Sequence, residues 1–80
     1  MTTLDEVMKQ IKSGVTVQLR FYLAGGLFSV HDLWFEDGLI YDFSYVDSAE
    51  SSYTEKQYRS SFYGTAFNKQ SVKLMEVRKW

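Results

Sequence analysis

Residues 27–46 read LFSVHDLWFEDGLIYDFSYV, and how this stretch is read decides the fold. Glu36-Asp37-Gly38 marks a turn, with Asp-Gly a strong signal for a tight hairpin. The stretch therefore divides into two strands. In the second, Leu39, Tyr41, Phe43 and Tyr45 alternate with Ile40, Asp42, Ser44 and Val46. Such alternation marks a strand with one dry and one wetter face. The ring-rich set is expected to face the core, with Asp42 and Ser44 outward. In the first strand the alternation breaks. Phe28 and Val30 share one parity, Leu33 and Phe35 the other, and the change falls at His31-Asp32. A β-bulge there would return both pairs to the core. Without one, the strand has two apolar faces. The bulge is the expected arrangement.

Upstream, Thr3-Leu4-Asp5-Glu6 fits a capping box that opens a helix. Leu4, Val7, Met8 and Ile11 give it one apolar stripe, and Gly14 suits the position beyond its last turn. Residues 15–23 alternate as a strand, and Ala24-Gly25-Gly26 supplies a turn. Downstream, the polar residues 47–52 read as a loop. Overlapping capping patterns at Ser52 and Thr54 open a short helix over residues 54–63, ended by Gly64. Residues 72–77 form a last strand. The expected fold is a single α+β domain over residues 1–80. It has a three-stranded antiparallel meander, a C-terminal strand and two short helices, in the order α-β-β-β-α-β, with the helices on one face of the sheet.

A chain of 80 residues buries a modest fraction of its surface and needs large side chains to do so. An aromatic content of 18% answers that need. The absence of cysteine excludes disulfides and thiolate metal sites, and a single histidine argues against a zinc site. Neither a membrane-length apolar run nor a signal-peptide pattern is visible. A cytoplasmic setting, in a bacterial or host cell, is the expectation.

The net charge of −1 conceals three blocks. Residues 1–31 carry +1. Residues 32–55 hold Asp32, Glu36, Asp37, Asp42, Asp47, Glu50 and Glu55 without Lys or Arg. Residues 56–80 carry +5, from Lys56, Arg59, Lys69, Lys73, Arg78 and Lys79 against Glu76. Such asymmetry sets up a directional surface potential.

No enzyme signature stands out. His31 and Asp32 are strand neighbours and point to opposite faces. The serines lack a nucleophile-elbow context. Gly25-Gly26 lacks the spacing of a phosphate loop. The acidic run does not match a calcium loop, since position twelve after Asp32 is Phe43. No catalytic residue, metal or cofactor is expected. The basic C-terminal third, with Tyr58, Tyr63, Phe67 and Trp80 among its cations, has some character of a single-strand nucleic-acid binder. Its cations Lys69, Lys73, Arg78 and Lys79 are the alternative site. A homo-oligomeric structural protein, such as a homodimer, whose subunits join through the exposed edge strand or the aromatic face, is a further alternative. The leading expectation is a non-enzymatic protein-binding module. Its partner-binding residues are Asp32, Trp34, Glu36, Asp37, Asp42, Asp47, Glu50 and Tyr53, with carboxylates steering a basic partner and rings anchoring it.

The capped N-terminal helix, three-stranded meander and acidic loops, in a cysteine-free chain of this size, resemble small phage or mobile-element proteins of the anti-CRISPR type. The likeness is one of layout, without a shared motif. It implies an inhibitor that presents carboxylates to a nuclease or other nucleic-acid-binding protein. The basic tail and final strand are not explained by it.

Overall fold

A computed structural model describes residues 2–79. Helix α1, Leu4–Lys12, starts where Thr3 Oγ1 accepts the Glu6 amide. It buries Val7, Met8 and Ile11. Strands β1 (Val15–Tyr22), β2 (Phe28–Glu36), β3 (Leu39–Ser44) and β4 (Ala49–Tyr53) follow. Helices α2 (Glu55–Ser60) and α3 (Phe62–Ala66) then lead to strand β5, Val72–Lys79. The five strands make one antiparallel sheet in the order β4-β3-β2-β1-β5. The fold is α+β, with one strand more than expected, because residues 49–53 pair with β3 and do not remain a loop. Among the described residues no helix is long and apolar enough to cross a membrane.

The β2–β3 connection is the two-residue turn that Asp37-Gly38 announced. Both residues have positive φ, 52° and 79°, as a type I′ hairpin turn requires. It sets Glu36 opposite Leu39, and the register runs without interruption to His31 opposite Ser44. β2 also pairs with β1 without a shift. The expected bulge at His31-Asp32 is therefore absent. The register shift lies in the β1–β5 ladder, where Gln18 faces Glu76 and Leu19 faces Leu74, leaving Met75 as the extra residue.

A regular β2 has two apolar faces. Leu33 and Phe35 look toward the helices; Phe28, Val30 and Trp34 look the other way. The turn register carries this split into β3 and reverses the expected orientation. Ile40, Asp42 and Ser44 are buried on the helix face, while Tyr41 and Phe43 are half-buried and Tyr45 exposed on the opposite face. The core lies between that helix face and the helices. It contains Val17, Leu19, Phe21, Leu33 and Ile40 from the sheet, against Val7, Met8, Ile11, Tyr58 and Phe67.

The expected single helix over residues 54–63 is two. Thr54 and Gln57 complete the capping box of α2, but Ser61 turns extended and caps α3 through the Gly64 amide. Gly64 is thus inside α3 and terminates nothing. A β-carbon there would collide with the Tyr58 carbonyl oxygen. Ion pairs of Lys12 with Glu55 and of Arg59 with Asp5 tie α1 to α2, and Arg59 also pairs with Glu55 within α2. Hydrogen bonds from Lys12, then Arg59, hold the Glu55 carboxyl below its usual pKa.

Candidate functional site

All three helices lie on one side of the sheet, so its other face is open. That face has an aromatic centre. Trp34 on β2 stacks nearly parallel on Tyr41 of β3, with centroids 5.6 Å apart. Phe43 meets Tyr45 edge-on at 5.3 Å. Near the far end of β1, Arg20 lies 4.4 Å above the ring of Phe28. A cavity of about 320 Å³ opens here, lined by Thr16, Asp32, Trp34, Phe43 and Tyr45.

Asp32 is the anionic group of that cavity. It is 9% exposed. Tyr45 donates its hydroxyl to Oδ2 at 2.7 Å, and Gln18 Nε2 donates to Oδ1 at 3.2 Å. Arg78, reaching from β5, places Nη2 2.6 Å from Oδ1. This last contact is short but off the line of an ideal N–H hydrogen bond, and Nε, also buried, lies 3.9 Å from Glu76 Oε2 without a directed bond. The Asp32 carboxylate is still the first cause holding the guanidinium pKa above its usual value.

The eight residues expected to bind a partner are distributed unevenly. Asp32 and Trp34 share the open face, and Glu50 stands on it from β4, opposite Phe43. Glu36 and Asp37 are exposed at the β2–β3 turn. Asp47 lies in the β3–β4 loop at the other end of β3, where Ser44 Oγ donates to it at 3.4 Å. Asp42 and Tyr53 are on the opposite side of the sheet. Tyr53 is half-buried, with its ring edge against Tyr58, and Asp42 is 4% exposed. The carboxylates thus do not form one continuous surface.

Asp42 has a different partner. Its Oδ1 accepts from His31 Nδ1 at 2.6 Å, and Ser29 Oγ lies 2.7 Å from His31 Nε2. The order Ser–His–Asp is that of a nucleophilic relay. Its setting is largely enclosed, but a cavity of about 230 Å³, lined by His31, Asp42, Ser44, Tyr53 and Tyr63 among others, opens beside the imidazole and the carboxylate. His31 is 1% exposed and Ser29 4%, with Phe21 and Tyr63 against the imidazole at 5.0 and 4.2 Å. Ser29 does not line that cavity. In the closed fold the trio satisfies three polar groups inside the core. Among the described residues, no group of three or more His, Cys, Asp or Glu side chains is placed to hold a metal ion.

The open-face residues that the sequence reading assigned to the core are Tyr41, Phe43 and Tyr45. The hairpin register carried the missed signal. A two-residue loop at Asp37-Gly38 sets Trp34 against Tyr41 and Phe35 against Ile40, so one of those pairs had to face outward. Arg20 was placed by the alternation of β1 and its hairpin with β2, but Arg78 had no comparable signal, since its placement depends on β5 joining β1. Of the basic alternative site, Lys73 and Arg78 flank the open face, and Lys69 follows α3; Trp80 lies outside the described residues.

No protein-family model, curated protein or solved structure matches this chain.

Proposed function

We propose that the protein is a small binding module, and that its working surface is the open face of the sheet with the acidic β2–β3 turn beside it. The partner is a protein with exposed basic side chains. The observation that carries this reading is the aromatic cluster of Trp34, Tyr41, Phe43 and Tyr45 around the buried carboxylate of Asp32, on a face that no helix covers. Rings of this kind supply contact area at small entropic cost and are common interface anchors. Glu36, Asp37 and Glu50 surround them with negative charge, which steers a basic partner. The layout's resemblance to anti-CRISPR-type proteins gives the sharpest form of the proposal: an inhibitor of a protein that handles nucleic acid.

A second reading rests on the same rings. Arg20, Lys73 and Arg78 stand on the β1–β5 side of the open face, and stacking rings beside cations suit a single-stranded nucleic acid.

The test is quantitative capture from the native host with three folded proteins. The original chain and Asp47→Lys should retain the same basic protein, and Phe43→Glu should lose it by at least about tenfold, equivalent to ~1.4 kcal/mol. Retention by Phe43→Glu would move the surface elsewhere. Capture of labelled single-stranded DNA or RNA, declining with salt and lost in Phe43→Glu, would select the second reading.

A further inference from the structure

The carboxylate of the open-face cavity is already paired with a cation, and that cation belongs to the chain itself. Arg78 comes from the edge strand β5 and reaches the Asp32 carboxylate on β2, two strands away in the sheet order. The carboxylate is well organised. Tyr45 and Gln18 hold it from two directions, and Thr16, Trp34, Phe43 and Tyr45 line the space around it. The guanidinium is poorly organised by comparison. Its Nη2 is near Oδ1, but Nη2 and Nε are both buried without a directed acceptor. A guanidinium pairs best with a carboxylate as a planar, two-pronged donor, and Arg78 does not achieve that arrangement. Buried donors without acceptors are costly. Releasing Arg78 to solvent would hydrate them.

We propose that the Asp32 pocket is a receptor for an arginine side chain of the partner, and that Arg78 is the displaceable internal partner of its carboxylate. This rests on the open face being the partner surface. Charge complementarity favours a cation, and the aromatic walls favour a flat, weakly hydrated one, since guanidinium groups stack on rings where ammonium groups stay hydrated. An incoming arginine able to address Asp32 squarely would exchange a misaligned pair for an aligned one. Arg78 then lowers the affinity for the partner by competing for the same oxygen, which suppresses binding of weakly basic surfaces.

The test uses the full chain and small probes. N-acetyl-arginine amide, its lysine counterpart and its uncharged citrulline counterpart are titrated separately. The readouts are the Trp34 indole and Gln18 side-chain amide signals in nitrogen-resolved NMR spectra. The arginine probe should give saturable shifts in both groups. It should bind about tenfold more tightly than the citrulline probe, and more tightly than the lysine probe. Arg78→Ala should tighten arginine binding by several-fold, and Asp32→Asn should abolish it. If Asp32→Asn does not fold, Phe43→Leu provides the second arm, because it keeps the charge and removes one ring; weakened binding is expected there. Three results would overturn the proposal: no saturable shift in Arg78→Ala, equal affinity for the citrulline probe, or equal affinity for the lysine probe. Failure with the probes, while partner capture remains sensitive to Phe43→Glu, removes the arginine receptor and leaves the binding surface standing. Loss of that sensitivity, with arginine still bound, removes the partner surface and leaves only a pocket that binds free arginine, which also overturns the proposal.

Discussion

Asp42 shows how one residue can change sides. Read as an outward carboxylate, it belonged to an acidic surface; in the fold it is the hydrogen-bond partner of His31 within the core. The imidazole Nδ1 donates to it and Nε2 meets the Ser29 hydroxyl, so every polar atom of the ring is satisfied. Removing the carboxylate strands a buried donor, which costs about 1–3 kcal/mol. Asp42→Ala is therefore expected to lower the melting temperature by several degrees at least, at about 4–8 °C per kcal/mol for a domain of this size. Asp47→Ala, at an exposed loop position, should remain within about 0.5 kcal/mol of the original. Urea unfolding of both variants decides this. Equal stability of the two would contradict the assignment of Asp42 to the core. The sequence could not show this pairing directly, because Asp42 and His31 meet across two strands, and the nearer carboxylate in the chain, Asp32, is on the opposite face.

At the scale of elements, the local signals were sound where the chemistry is local. Thr3, Thr54 and Asp37-Gly38 each do what their residue types allow: two open helices, and one makes a tight turn. The errors came where an element's role depends on what packs against it. β2 and β3 are apolar on both faces, so periodicity could not say which face the helices would cover. β4 has the sequence AESSY, four of its five residues exposed, and only its pairing to β3 makes it a strand. Gly64 had the look of a helix end, yet it serves as the contact that lets α3 approach the last carbonyls of α2. Gly64→Ala is expected to destabilise the fold by about 1–3 kcal/mol, the usual range for forcing volume into a filled contact. Thermal unfolding provides the check. A neutral or stabilising substitution would mean that the α2–α3 junction is looser than its geometry.

For the whole molecule, the open face raises the question of whether a second copy can cover it or pair with an edge. The sheet edges answer part of it. β5 is interrupted at Met75, and the Leu74 amide is taken up by Thr2 Oγ1. Lys73, Glu76 and Lys79 add charge along it. β4 is five residues long and carries Glu50. Bulges, short strands and charges are the usual protections against edge pairing. The chain should consequently scatter light as a 9.4 kDa particle across a concentration series. A stable dimer would assign the uncovered face or an edge to a second copy. The overall class, α+β with helices on one side, was legible from capping, alternation and turns. Which side of the sheet remained bare was not, and that side is where the account places the function. Site-specific photo-cross-linking tests that placement most directly. A photoreactive residue replaces Ser52 on the open face, or Phe62 on the helix side, in the native host. Adducts with a basic protein are expected from position 52, and none with that protein from position 62. Adducts from position 62 alone would contradict it.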